Sequence, residues 1–264
     1  MNQSVVPIHY KRYARSFFLA LCLLPSACFV YASEDLITIQ QTAEQGNADA
    51  QYNLGRRYDN GDGVAQDAQQ AVAWYRKAAE QGHASAQHNL GFQYYKGQGV
   101  AQDFKQAEAW TRKAAEQGDP DAQYNLGVFY HTGEGVAQDH KQAVAWTRKA
   151  AEQGDSGAQF NLGLSYAEGQ GVAQDFKLAL VWYRKAAEQG NADAQSTLGM
   201  VYLQGQGVPQ DHSQAYVWFS VAVANGSSNS TEFRNSAAKK LSTSQLAAAQ
   251  KLAGQYFEKY QPSR

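Results

Sequence analysis

Ala50, Leu54 and Tyr58 lie four residues apart and form one apolar stripe on a helix, with polar residues between them and Gly61 following as a stop. A glycine-punctuated loop, Gly-x-Gly-Val-x-Gln-Asp, then leads into a second helical stretch that holds Trp74 and ends at Gly82. Asp67-x-x-Gln70 at its start has the spacing of a capping box, as do Asp103-x-x-Gln106, Asp139-x-x-Gln142 and Asp211-x-x-Gln214. Asp175 with Leu178 keeps the cap without the box. Asp119-Pro120 marks a helix start of the first kind, a cap followed by proline in the first turn.

This pattern returns along the chain. Ala50-Gln51-Tyr52-Asn53-Leu54-Gly55 has counterparts starting at Ala86, Ala122, Ala158 and Ala194, always 36 residues on. Trp74, Trp110, Trp146, Trp182 and Trp218 keep the same step and account for all 5 tryptophans. Second helices end at Gly82, Gly118, Gly154, Gly190 and Gly226. Residues 48–227 therefore divide into five helix pairs, and a half unit at 33–47 precedes them. A single helix pair cannot bury its own apolar face, so each unit needs its neighbours.

These residues resemble the Sel1-like repeat, a relative of the tetratricopeptide repeat. The resemblance implies an all-α fold, a right-handed superhelical α-solenoid of antiparallel helix pairs. After Gly226 the repeat is lost: Thr231–Leu241 suits a helix, and Ser242-x-x-Gln245 caps a last one carrying Leu246, Ala249, Ala253, Tyr256 and Tyr260. Residues 228–264 are expected to form a helical cap over the last repeat. Loss of a repeat tryptophan is expected to cost about 3–5 kcal/mol.

The first 32 residues differ from the rest. Lys11, Arg12 and Arg15 precede an apolar run from Ser16 to Tyr31, and Val30-Tyr31-Ala32 suits signal-peptidase cleavage before Ser33. Residues 1–32 are expected to be a signal peptide and the mature chain periplasmic. A membrane anchor would need a longer run than this one, which contains Pro25. Leu24-Pro25-Ser26-Ala27-Cys28 offers a weaker alternative, a lipid anchor on Cys28, in a motif where Pro25 is out of place. Both cysteines, Cys22 and Cys28, lie in the leader, so the mature chain would hold no disulfide. With 23 basic and 24 acidic residues overall, there is no basic excess to attract nucleic acid.

Candidate chemistry is sparse. The glycine loops lack the Gly-Lys-Ser/Thr end of a phosphate-binding loop, and Asp59-Asn60-Gly61-Asp62-Gly63 lacks the spacing and distal glutamate of a calcium loop. No two of His9, His83, His88, His131, His140 and His212 have a metal-binding helical spacing, so no metal or other cofactor is expected. Arg76 and Glu80 read as an i,i+4 pair on a solvated face. Cysteine-rich relatives have been linked to β-lactamase-like activity, but their paired cysteines and a Ser-x-x-Lys motif are both missing from the mature chain. No enzymatic activity is expected; a cell-wall-active enzyme or a glycan-binding protein is the alternative.

The resemblance puts the first helix of each pair on a concave side. Along it run Tyr52, Arg56 and Asp59; His88, Phe92 and Tyr95; Tyr124, Val128 and His131; Phe160, Leu164 and Ala167; and Ser196, Met200 and Leu203. These positions vary between repeats while the packing positions do not. The expected partner is a protein or an extended peptide, since aromatic residues with polar tips bury area and still hydrogen-bond. Family members implied by the resemblance include envelope scaffolds and immunity proteins against periplasm-delivered toxins.

Overall fold

In the computed structural model, residues 36–261 are described, and their regular structure is entirely helical. The expected leader, with Cys22, Cys28 and the cleavage site, lies outside them. Two compact units meet in sequence between Gln138 and Asp139. The first contains α1 (36–44), α2 (Ala48–Asn60), α3 (Ala68–Glu80), α4 (Ala84–Lys96), α5 (Phe104–Glu116) and α6 (Pro120–Thr132). The second contains α7 (His140–Glu152), α8 (Ser156–Glu168), α9 (Phe176–Glu188), α10 (Ala192–Gln204), α11 (His212–Ala224), α12 (Ser230–Ala238) and α13 (Thr243–Lys259).

In the first unit each of α2 to α6 packs on its sequence neighbour, the build of an α-solenoid. The helix starts follow from side-chain caps. Asn47, His83 and Asp119 each accept the backbone N–H three residues on, from Ala50 at 2.9 Å, Ala86 at 3.2 Å and Ala122 at 2.8 Å. Asp67 and Asp103 each accept two amides, at 2.9 and 3.0 Å. The expected reciprocal half of these boxes is not formed. Asp67 N–H already donates to Tyr58 O at 2.9 Å, and Asp103 N–H to Tyr94 O at 3.0 Å. The glutamine side chain at the third helical position thus has no free N-cap amide to receive. Among the described residues the full box occurs at Ser242–Gln245.

A buried glutamine joins consecutive pairs. Gln51 Nε2 donates to Ala43 O at 3.0 Å, while its Oε1 accepts from Gln81 at 2.7 Å; Gln87 does the same with Ala79 O at 3.0 Å and Gln117 at 2.7 Å. Each carboxamide is thus satisfied on both sides, which is what allows a polar residue to recur in the core. The loop glutamines close the first helix of each pair: Gln66 Nε2 donates to Asp59 O and Gln102 Nε2 to Tyr95 O, both at 2.8 Å.

The repeat tryptophans are less central than their recurrence suggests. Trp74 and Trp110 are half-buried, with Lys77 and Lys113 over their rings at 3.9 and 3.8 Å. Tyr75 is the fully buried residue, seated so closely on Gly55 that a Cβ there would lie 2.7 Å from its ring. A helix turns about 100° per residue, so while Tyr75 faces Gly55, Trp74 packs beside Ala43, Ala50 and Leu54 and stays half-buried. Arg76 also departs from expectation: it donates to Tyr94 Oη at 2.7 Å, tying α3 to α4. In α5 the matching Arg112 donates to Tyr130 Oη at 2.9 Å and pairs with Glu108, which is buried where α3 has Val72. Burial works against the Arg112 charge, but Tyr130 and Glu108 outweigh it and hold the guanidinium pKa above its ordinary value.

The second unit repeats this chemistry. Gln159 links Ala151 O and Gln189 at 3.1 and 2.7 Å, and Gln195 links Ala187 O and Asn225 at 2.9 and 3.0 Å. Of its three tryptophans Trp182 and Trp218 are buried, while Trp146 is half-buried with Lys149 over its ring at 3.7 Å. α11 is apolar nearly all round because α10, α12 and α13 all pack against it. Trp218 meets Tyr256 edge-on at 5.2 Å and stacks on Tyr260 at 6.0 Å, while Phe219 stacks on Phe233 at 5.6 Å. No helix among the described residues is long and apolar enough to cross a membrane.

Candidate partner-binding face

The residues that vary between repeats lie on the first helix of each pair, held there by the caps and glutamine links just described. In the first unit Tyr52 is half-buried, stacked on His83 at 4.6 Å with Arg56 over its ring at 5.8 Å. Phe92 is half-buried with Lys96 Nζ 5.7 Å from its ring. Tyr95 packs edge-on to Phe104 and Phe129 at 5.5 and 5.8 Å. Burial, then the charge and hydrogen bond of Glu134, raise its phenol pKa. His131 is half-buried, and its carbonyl accepts from Gln138.

Three residues of the stripe are turned into packing instead. His88, Tyr124 and Val128 are only 6%, 2% and 4% exposed. His88 Nε2 lies 2.9 Å from Asn125 Nδ2, so α4 spends this side chain on α6. The face available in the first unit is therefore Tyr52, Arg56, Phe92, the edge of Tyr95, and His131. In the second unit Phe160, Leu164 and Met200 are half-buried, with Phe160 tilted against Tyr183 at 5.8 Å and Met200 against the cluster around Phe219. The Tyr183 phenol is itself buried, and burial with the nearby Glu168 charge raises its pKa. Asn53 and Arg57, outside the stripe drawn from sequence spacing, line a cavity with Arg56. The signal for Arg57 was internal: the first repeat reads Arg56-Arg57 where later ones read Phe92-Gln93, Val128-Phe129, Leu164-Ser165 and Met200-Val201.

No group of three or more His, Cys, Asp or Glu side chains placed to hold a metal occurs among the described residues. What the face offers is shape, aromatic area and a few polar tips.

A family model described as Sel1 repeat matches residues 48–83, 84–119, 120–155, 156–191 and 192–227. The chain belongs to the Sel1 repeat family. Among solved structures, a protective antigen of uropathogenic Escherichia coli strains with an SLR fold is 46% identical, with a TM-score of 0.80 over 85% of this chain. This chain spans about half of that antigen, 48% of its length. A Sel1 repeat protein from Oxalobacter formigenes is 35% identical with a TM-score of 0.72, covering 87% of this chain and 96% of its own. An immunity protein from Pseudomonas aeruginosa is 24% identical with a TM-score of 0.47, covering 80% of this chain and 82% of its own, too distant to transfer a role. No curated protein matches the chain. The Sel1 scaffold, shared with the Escherichia coli and Oxalobacter formigenes structures, is one suited to protein–protein interaction.

Proposed function

We propose that this Sel1 repeat protein is exported to the periplasm and captures an envelope protein or an extended peptide on the first-helix face of its repeats, without catalysing a reaction. One observation carries the reading. The links that hold the repeats together recur from pair to pair, while the half-exposed residues at one helical position change from Arg56 to Phe92, Leu164 and Met200. A scaffold with a variable row of anchors is what selective binding requires, because affinity concentrates in a few well-placed aromatic or arginine side chains.

Phe92 is the best single test. Phe92→Ala is expected to weaken partner capture by about 2 kcal/mol, roughly thirtyfold, with an unchanged melting temperature. Glu116→Ala, on an exposed position of a second helix, is expected to leave capture intact. Titration of the captured partner by calorimetry checks both, and equal affinity of Phe92→Ala and the parent protein would remove the first-helix face from consideration. A toxin among the captured partners would make the role one of immunity; an envelope component would make it scaffolding.

Export makes a separate expectation. Intact mass of the protein recovered from the periplasm should correspond to a chain starting at Ser33. Retention of residues 1–32 would refute cleavage, and a diacylglycerol adduct on Cys28 would replace it with lipid anchoring.

A further inference from the structure

In the second unit, α9 carries an apolar patch on the side opposite its core. Leu178 and Val181 are 41% and 49% exposed and lie three residues apart, while Ala179, Tyr183 and Ala186 are buried on the other side of the helix. The patch is peculiar to this repeat. At the position of Leu178 the others carry Gln70, Gln106, Gln142 and Gln214, and at that of Val181 three carry alanine and the last carries Val217. Val217 is fully buried, because α13 lies over it with Ala249 and Ala253 in its cluster and Leu252 and Tyr256 alongside. Among the described repeats a bulky apolar residue thus stands at this position twice, once under a covering helix and once in the open.

The polar residues around the two sites differ in a way that bears on what covers each. Lys177, Arg184, Lys185 and Glu188 surround Val181 and are all exposed; at the same four positions α11 has Ser213, Ser220, Val221 and Ala224. Lys185 stands over the Trp182 ring at 4.2 Å, whereas Trp218, one repeat on, meets Tyr256 and Tyr260 of α13. α11 has therefore shed every charge from the face that α13 occupies. α9 keeps the apolar centre and a charged rim.

We propose that α9 docks an acidic amphipathic helix of a partner protein, laid over Leu178 and Val181 as α13 is laid over Val217. α13 supplies the pattern of the occupant. Ala249, Leu252, Ala253 and Tyr256 fall at i, i+3, i+4 and i+7, the anchor spacing of a helix seated in a groove. The rim supplies its charge. Lys177, Arg184 and Lys185 are each one turn from Val181, while the acidic groups of α9, the Asp175 cap and Glu188, stand at its two ends. Carboxylates on the flanks of the docked helix meet these cations and fix its register, and flanking cations are repelled. Arg184 donates to Tyr202 Oη at 2.9 Å and has further guanidinium donors for a carboxylate. The site lies on a second helix, apart from the first-helix face, and does not depend on the peptide-capture reading.

Fluorescence anisotropy of the purified full chain tests this with a labelled peptide spanning residues 242–261, held helical by a lactam joining Lys251 to Gln255→Glu on the side away from the anchors. A second, acidic form adds Gln250→Glu and Lys259→Glu, which flank the anchors on either side. The acidic peptide is expected to bind about tenfold more tightly than the first, and Lys177→Gln in the protein to reduce that ratio. Leu178→Gln with Val181→Ala should weaken the acidic peptide at least tenfold. Both replacements are residues that other repeats carry at these exposed positions, so the melting temperature should equal that of the parent. Phe92→Ala should leave this binding unchanged, which separates the site from the capture face. Equal affinity for the two peptides, or an affinity undiminished in the Leu178→Gln, Val181→Ala protein, overturns the proposal. Two other results also overturn it: sedimentation with phosphatidylglycerol vesicles that the double variant abolishes would make the patch a membrane surface, and a dimer that it abolishes would make the patch a contact between copies of this chain.

Discussion

Phe219→Ala is expected to destabilise the second unit by about 3–5 kcal/mol, the range for removing a large buried aromatic side chain. Phe219 is fully buried against Ala215 and Ala237, with Met200, Tyr202 and Leu203 around it. Its ring fits the space left by Gly199, where a Cβ would stand 2.6 Å from Cδ1, and it stacks on Phe233 of α12 at 5.6 Å. Trp110→Ala, at a half-buried ring that keeps one side under Lys113, should cost at most about 2 kcal/mol despite removing a larger side chain. Because repeat arrays need not unfold in one step, hydrogen exchange on α11 and α5 amides is the measurement that localises each loss. A larger loss at Trp110 than at Phe219 would reverse the assignment of the core position.

Gly135→Ala is expected to cost about 2–5 kcal/mol, from roughly 1–2 kcal/mol of left-handed backbone strain and about 1–3 kcal/mol of overpacking. Gly135 has φ +73°, and a Cβ at this position would collide with the carbonyl of Phe104 at the start of α5. That obstacle is backbone, held by the Asp103 cap, and cannot turn aside as a side chain would. Gly118 has φ +95° and nothing within 4 Å of where its Cβ would stand, so Gly118→Ala should show the backbone strain alone, about 1–2 kcal/mol. Thermal melts of the two variants give the comparison. Equal losses would mean that the loop after α6 moves away from α5 at little cost.

The helices, their order and most of their starts were legible in the sequence because they are set by local chemistry. Asp119-Pro120, Ser242 with Gln245, and the glycines at Gly61 and its counterparts act within a few residues of themselves. Periodic return of these signals identified the repeat, since a pattern of Ala50, Leu54 and Tyr58 needs only the pitch of a helix to be read as a stripe. The capping boxes failed for a reason outside that range. Asp67 N–H is occupied by Tyr58 O, an acceptor on the preceding helix that no four-residue window contains.

Tertiary packing decided which of the recurring residues face a neighbour and which remain for a partner. The step from Trp74 to Tyr75 is one residue in sequence, yet it exchanges a half-exposed ring for a fully buried one, because only Tyr75 points at Gly55. His88, Tyr124 and Val128 share a spacing with Phe92 and Arg56 but are packed inside the fold. Periodicity assigns a residue to a face of its own helix; the burial of that face depends on what the next helix places against it. The same limit hid Arg57, whose position is core in the next repeat and lines a cavity in the first.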